Sequence, residues 1–351
     1  MGHPTVENET PFICEFMGCA DEEGRPLLLL LIKATYLLSD GRLMLAAEQE
    51  PVKWAGEPWG KPGESSDKYE PECAFFKPAT DVVLIGHGYT QRKGDTETLV
   101  ALQVGPVKKA LRVVGERTWF RSLGRVGMTQ PLPFEKLPLT WERAFGGWDK
   151  SDADTKKHGF EPRNPVGVGF RASPRNFEEG LMLPNLEDPA QPLRELGQRV
   201  TPMGVGFTSP HWQPRAAFAG TYDKAWETAR KPLLPTDFDR RFFNAGAPGL
   251  VAPGYLRGDE AVMLVNVTPQ GRLGFSLPAQ PTPVVTVEQT GAEDARPDVR
   301  LDTVILEPDA KRVVLMWRAH LALEDGFHSV RTMRITAQGV SRPPESRAGA
   351  A

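Results

Sequence analysis

The sequence predicts a mainly β protein, with packed antiparallel sheets in a sandwich-like arrangement, long ordered loops and a few short helices. Three observations carry this expectation. Short apolar runs with β-branched and aromatic members, bounded by turn residues, recur in the first and last thirds of the chain. Only one stretch shows helical spacing. The middle is dense in Pro, Gly, Asn, Arg and aromatic residues and has almost no apolar period; 16 of the 33 prolines lie between Pro131 and Gly254. Irregular backbone of that length inside a compact protein is usually ordered for a function.

Taken in order, Leu27–Leu38 (LLLLLIKATYLL) reads as a strand, Ser39-Asp40-Gly41 as a turn and Arg42–Ala47 as the returning arm of a hairpin. Glu50–Glu72 reads as a loop rich in Pro, Gly, Trp and charge. Asp81–Ile85, Glu97–Val104 and Val107–Val114 follow as strands, the last two separated by Gly105-Pro106. These make an N-terminal β module over residues 1–124. A motif-rich β module with long loops covers 125–340 and packs closely on the first. Its one helix is Tyr222–Arg230, capped by Thr221, with Ala225, Trp226 and Ala229 at helical spacing and Pro232 as the stop. Ala261–Thr268 and Arg272–Leu277 form a hairpin, Pro283–Glu288 a short strand, Leu301–Leu306 and Lys311–Arg318 a second hairpin, and Phe327–Thr336 an edge strand. The tail 341–351 (SRPPESRAGAA) reads as disordered.

Composition narrows the function classes. The chain has 351 residues, 40% hydrophobic, with 42 Lys+Arg against 45 Asp+Glu. That balance gives no basic field for a nucleic acid or an anionic membrane. Arg112, Arg117, Arg121 and Arg125 read as a solvated face. The N-terminus MGHPTVENET is polar and acidic, unlike a secretory signal. Gly2 does not meet the myristoylation pattern, because Val6 stands at the Ser/Thr position. The longest apolar run, Leu27–Ile32, is too short to span a bilayer. A cytoplasmic location without membrane insertion is expected. Cys14, Cys19 and Cys73 form no disulfide framework and no zinc pattern, and no fourth ligand joins Cys14, Cys19 and His87. No cofactor and no metal are expected.

The candidate chemistry is sparse. Gly167-Val168-Gly169 and Gly204-Val205-Gly206 lack the third glycine or the Lys of a phosphate loop, so tight backbone packing is their reading. There is no GxSxG, and the six histidines are scattered. Asp237-Phe238-Asp239, with Glu142, Asp149 and Asp223 in aromatic company, is the best enzymatic candidate. Two carboxylates beside stacking rings suit glycosidic hydrolysis, whereas Arg240-Arg241 next to them suits salt bridges and loop capping. Trp141, Phe145, Trp148, Trp212, Trp226, Phe238, Phe242 and Phe243 read either as a binding groove or as core beneath the loops.

Several ordered motifs then carry a resemblance. Trp141-Glu142-Arg143-Ala144-Phe145-Gly146-Gly147, Asn164-Pro165-Val166-Gly167-Val168-Gly169-Phe170, Leu183-Pro184-Asn185-Leu186-Glu187, Ala219-Gly220-Thr221-Tyr222-Asp223, Leu234-Pro235-Thr236-Asp237-Phe238-Asp239 and Arg241-Phe242-Phe243-Asn244-Ala245 form one series. Val104 to Lys109, Val113 to Trp119, Leu301-Asp302-Thr303 and Met316-Trp317-Arg318 extend it. The series resembles the bacterial domain-of-unknown-function 2169 family over roughly residues 25 to 320. One departure is Ile85-Gly86-His87-Gly88, where a small residue is expected after the first glycine. The resemblance implies a non-enzymatic adaptor, or chaperone, for a type VI secretion effector bearing a PAAR-like tip domain. Such an adaptor binds its effector in the cytoplasm and helps load it on the trimeric spike. No catalytic residue is carried over. The candidate partner-binding or loop-ordering residues are Trp141, Glu142, Arg143, Phe145, Trp148, Asn164, Trp212, Arg215, Tyr222, Asp223, Trp226, Asp237, Asp239, Arg241 and Phe242. The alternative from another class is a carbohydrate-active hydrolase or lectin-like module using the Trp and Asp clusters. A third is a structural scaffold.

Overall fold

The computed structural model describes residues 4–339. Its principal strands, in chain order, are β1 (Thr5–Asn8), β2 (Ile13–Ala20), β3 (Pro26–Ser39), β4 (Arg42–Leu45), β5 (Asp81–Leu84), β6 (Glu97–Val104), β7 (Val107–Val114), β8 (Leu186–Glu187), β9 (Ala261–Val265), β10 (Arg272–Ser276), β11 (Val284–Gln289), β12 (Arg300–Glu307), β13 (Arg312–Ala322) and β14 (Val330–Thr336). They build three sheets. The largest has the order β2-β3-β13-β12-β5, with β4 also paired to β3. The second runs β8-β7-β6-β9-β10, and the third β1-β14-β11. Within these sheets the pairing is antiparallel except for β12 with β5 and β1 with β14.

β3 explains the arrangement. Residues Leu27 to Tyr36 are all buried. A strand covered on both faces reads as a continuous apolar run, not as an alternation. Leu28, Leu30, Ile32, Ala34 and Tyr36 enter the main core, where they meet Val100, Leu102, Leu111, Val113, Val262 and Leu264 of the second sheet. The two sheets therefore pack face to face, as a sandwich does. Val285, Val287, Met333 and Ile335 of the third sheet join the same cluster. The opposite face of β3 carries Leu29 and Leu31, which pack with Val52 and Met316.

The expected modules, 1–124 and 125–340, are not separate sheets. β6 pairs with β9, β5 with β12, and β3 with β13 along eleven residues. Strands from both sides of residue 124 thus share one core.

The elements follow the sequence closely in the outer thirds, with informative differences. β2 and β1 were not expected as strands. β2 is half exposed and its apolar residues do not alternate, and β1 is polar. Phe327–Ser329 forms a 3-10 turn, so the strand starts at Val330. That strand lies in the centre of its sheet, between β1 and β11, and not at an edge. The one helix, α1, is Lys224–Ala229, shorter than expected. Its cap is Asp223, which accepts a hydrogen bond from the Trp226 amide. Thr221 is engaged elsewhere, donating its hydroxyl to Asp237. The expected tail at 341–351 lies outside the described residues.

The segment 46–80 covers the outer face of the largest sheet, and buried charges fasten it there. Lys33 points from β3 into this layer, where its ammonium donates to both Glu72 oxygens at 2.8 and 2.9 Å and to the Pro51 carbonyl. Arg318 of β13 pairs with Asp302 and donates to the carbonyls of Glu72 and Ala74. Lys77 pairs with Asp81 at 2.9 Å. A buried pair costs desolvation when it forms, but breaking one side leaves an uncompensated charge. Glu72→Gln is expected to lower the unfolding free energy by about 3–5 kcal/mol, read as a shift of the urea midpoint. Lys33→Met combined with Glu72→Met is expected to recover at least half of that loss.

Candidate functional site

The motif-rich segment consists of loops whose backbone groups are bonded both to one another and to side chains. Trp141 is buried, donates its indole N–H to the Phe207 carbonyl at 2.7 Å, and meets Trp212 edge to face at 5.7 Å. A Cβ on Gly204 would lie 2.5 Å from the Trp141 ring, so only glycine fits there. Asn164 is fully buried. Its Nδ2 donates to the carbonyls of Trp141 at 2.8 Å and Phe145 at 3.1 Å, and its own carbonyl accepts from the Gly147 amide. The WERAFGG and NPVGVGF motifs are thus two halves of one joint. The Gly167 and Gly204 loops serve close packing, as their sequence suggested.

Asn185, from the LPNLE motif, is a second joint. It accepts from Arg143 Nη1 at 2.9 Å and donates to the Val114 carbonyl of β7. Glu187 beside it receives Arg112 and Arg117. Arg117 is buried. This corrects the solvated-face reading for Arg117, which Glu187 of β8 reaches; Arg121 and Arg125 are exposed, as that reading has them. Glu142 accepts from the Ser66 amide and hydroxyl. Arg215 is buried and grips Glu70 with two nitrogens at 2.8 and 2.9 Å while donating to the Phe242 and Thr208 carbonyls. Both contacts anchor the motif segment to the 46–80 layer.

The aspartates of the DxD pattern do not face a common space. Asp237 accepts from the Thr221 amide and hydroxyl, which holds its carboxyl below the usual range. Asp239 accepts from the Arg241 amide and guanidinium. Arg241 in turn lies 4.4 Å over the Phe218 ring. Asp149, buried, accepts from the Ser151 amide and hydroxyl, the Ala172 amide and Asn176 Nδ2. Burial alone would push its pKa up, but these bonds outweigh it and hold the carboxyl down at about 2.

The aromatic candidates divide. Trp141, Phe145 and Trp212 are core. Phe242 is half-buried, within 5.7 Å of Phe238 and 5.8 Å of Phe243, and Phe243 meets Phe75 at 4.7 Å. Tyr222 is exposed and packs against Trp226, whose indole donates to the Leu233 carbonyl. Trp148 and Phe160 pair across a two-residue ladder and stack at 4.4 Å, yet remain 47% and 41% exposed. Phe160 was not among the sequence candidates, and only its cross-strand position opposite Trp148 reveals it. Beside Arg215 an apolar cavity of about 180 Å³ is lined by Pro214, Phe218, Pro248, Val251 and Arg241. Among the described residues no three His, Cys, Asp or Glu side chains gather as a metal-ligand group.

A family model described as an uncharacterized protein conserved in bacteria (DUF2169) matches residues 23–318. The chain belongs to that family. No curated protein and no solved structure matches it. The matched span runs from the start of β3 through most of β13, and so takes in the whole motif-rich segment. Among the described residues, no helix is long and apolar enough to cross a membrane.

The joints predict measurable costs. Asn164→Ala leaves buried carbonyls without their donor and is expected to cost about 2–3 kcal/mol in thermal or urea unfolding. Asp149 has a folded pKa below its unfolded value, so its stabilisation is present above about pH 4 and is lost as the pH falls toward 2. The expected loss is about 2 kcal/mol. Urea unfolding across that range should show the decline, and Asp149→Asn should remove this part of it.

Proposed function

We propose that this chain is a non-enzymatic adaptor that binds a PAAR-like type VI secretion effector in the bacterial cytoplasm and helps load it onto the trimeric spike. The observation that supports the reading best is how the family motifs are used. Their Asn, Asp, Glu and Arg side chains tie loops into a fixed surface, and that surface leaves ring faces such as Trp148–Phe160 and Tyr222 open to solvent. Rigid, amphipathic rings on an ordered frame suit protein recognition, because little entropy is lost when they dock. A partner held this way is stabilised by mass action, without nucleotide hydrolysis. The carbohydrate-active alternative draws its support from the exposed Trp148 ring. Its two candidate aspartates are separately engaged, Asp237 with Thr221 and Asp239 with Arg241.

The test is capture of the effector from the native bacterium by the tagged chain, identified by mass spectrometry. Deleting the gene is expected to lower the effector's level or export while leaving the secretion tube assembled. Trp148→Ala with Phe160→Ala, both at the surface, is expected to weaken capture at least tenfold if these rings are anchors. Normal effector abundance and export after deletion of the whole gene would sink the adaptor reading.

A further inference from the structure

Among the described residues, the largest sheet has one long edge to which no further strand pairs. β2 pairs with β3 in unbroken register from Ile13↔Lys33 to Ala20↔Pro26. Among the described residues, no other element bonds to its backbone. Three other sheet edges are covered or interrupted, and the edge strands β1 and β10 are only four and five residues long. β5 is bridged by Val251, and the Leu250 and Val205 carbonyls accept its Val82 and Leu84 amides. β8 is two residues long and bridged by Ala144, and β11 is bridged by Ala295. Edges left open are normally guarded by Lys, Pro, a bulge or brevity. β2, ICEFMGCA, is eight residues long with no Lys, no Pro and no register shift.

Both faces of β2 continue a packed layer. Cys14 and Phe16 pack on the main core, and Ile13, Met17 and Cys19 on the Leu29–Leu31 layer. A strand added alongside would extend both layers. At one end a cleft of about 560 Å³ opens between Ile13 and Leu45. β2 and β4 both pair with the same edge of β3, whose other edge is filled by β13, so the cleft continues the line of β2 itself.

Charge selects the occupant. From Pro4 to Glu23 the chain holds Glu7, Glu9, Glu15, Asp21, Glu22 and Glu23 and no Lys or Arg. Glu7, Asp21, Glu22 and Glu23 are paired with arginines. Glu15, in the middle of the strand, is exposed and has no ion-pair partner among the described residues. A second copy pairing antiparallel about a two-fold axis would bring another unpaired Glu15 to the same stretch and no Lys or Arg from its own Ile13–Ala20 strand, which disfavours it. We propose that the free edge of β2 captures an extended, apolar segment of a partner protein that carries a Lys or Arg opposite Glu15. The captured segment becomes a further strand of the largest sheet, main chain supplying affinity and alternate side chains supplying choice. That the partner is the secretion effector rests on the adaptor reading; the edge itself does not.

The test uses random dodecapeptides displayed on phage and selected on the whole chain. Winners are then synthesised for anisotropy titration and for hydrogen exchange of the Ile13–Ala20 amides. The expected winners are apolar β-formers with a central Lys or Arg. They should protect the β2 amides and bind the Glu15→Lys chain about five-fold more weakly. Glu15 is at the surface, so this variant leaves the fold intact. No enriched peptide, protection elsewhere than β2, or unchanged affinity for Glu15→Lys overturns the proposal. A dimer of the free chain that protects the same amides also overturns it, in favour of a second copy. Peptides that protect β2 while no effector is captured leave the edge standing and remove the adaptor reading. An effector captured equally by wild type and Glu15→Lys, without β2 protection, does the reverse.

Discussion

The buried ion pairs between the largest sheet and the 46–80 segment are the constraint on which the rest of the molecule rests. That segment has little regular structure of its own, with only two short paired stretches, Glu57–Pro58 and Asp67–Tyr69. It stays in place because Lys33, Arg318 and Lys77 each find an acid or a carbonyl across the layer. Such pairs contribute little net stability over an apolar substitute; what they specify is one position. The motif-rich loops are then mounted on this layer through Ser66–Glu142, Asp67–Ser209 and Glu70–Arg215. The dependence runs from sheet to covering segment to motif loops to the exposed rings.

The irregular middle also explains its own composition. Backbone N–H and C=O groups buried outside helices and sheets still need partners. Asn164, Asn185 and Asp149 supply them from side chains, which is why Asn, Asp and Arg recur there alongside Gly. Gly146 shows the geometric side of the same economy. Its φ is 156°, and a Cβ there would lie 2.1 Å from the Asn164 carbonyl. The joint closes only without a side chain.

Much of the fold was legible because its strands are local signals. β3, β6 and β7 stand out as apolar runs with turn residues at their ends, and their limits in the structure differ from the sequence reading by a residue or so. What was not legible depends on distant partners. Lys33 and Glu72 are ordinary charges until the fold brings them together, and Arg117 looks solvated until Glu187 reaches it. Trp141 and Trp148 lie seven residues apart, one opening the WERAFGG motif and the other just after it. One is core because Trp212, Gly204 and the Phe207 carbonyl enclose it, and the other is open because Phe160 and the Lys150 ammonium cover it only in part. No local pattern separates two such tryptophans. β2 was missed for a related reason. An edge strand has one neighbour, so its sequence is under half the constraint of a central one.

The pairing of β3 with β13 carries a consequence for how the chain is made. Leu31 pairs with Arg318, so the central ladder joins the beginning of the chain to a strand close to its end. On a ribosome adding roughly 5–20 residues per second, the run Leu27–Ile32 is finished on the order of tens of seconds before its partner exists. During that interval β2 and β4 are the strands paired with β3, and its other edge is open. Ladders that close such long loops form slowly and late. The nascent chain therefore carries an open, strongly β-prone strand edge until β13 is made. Its yield in the cell should be governed by translation speed and by whatever shields that edge, as much as by the stability of the finished sandwich.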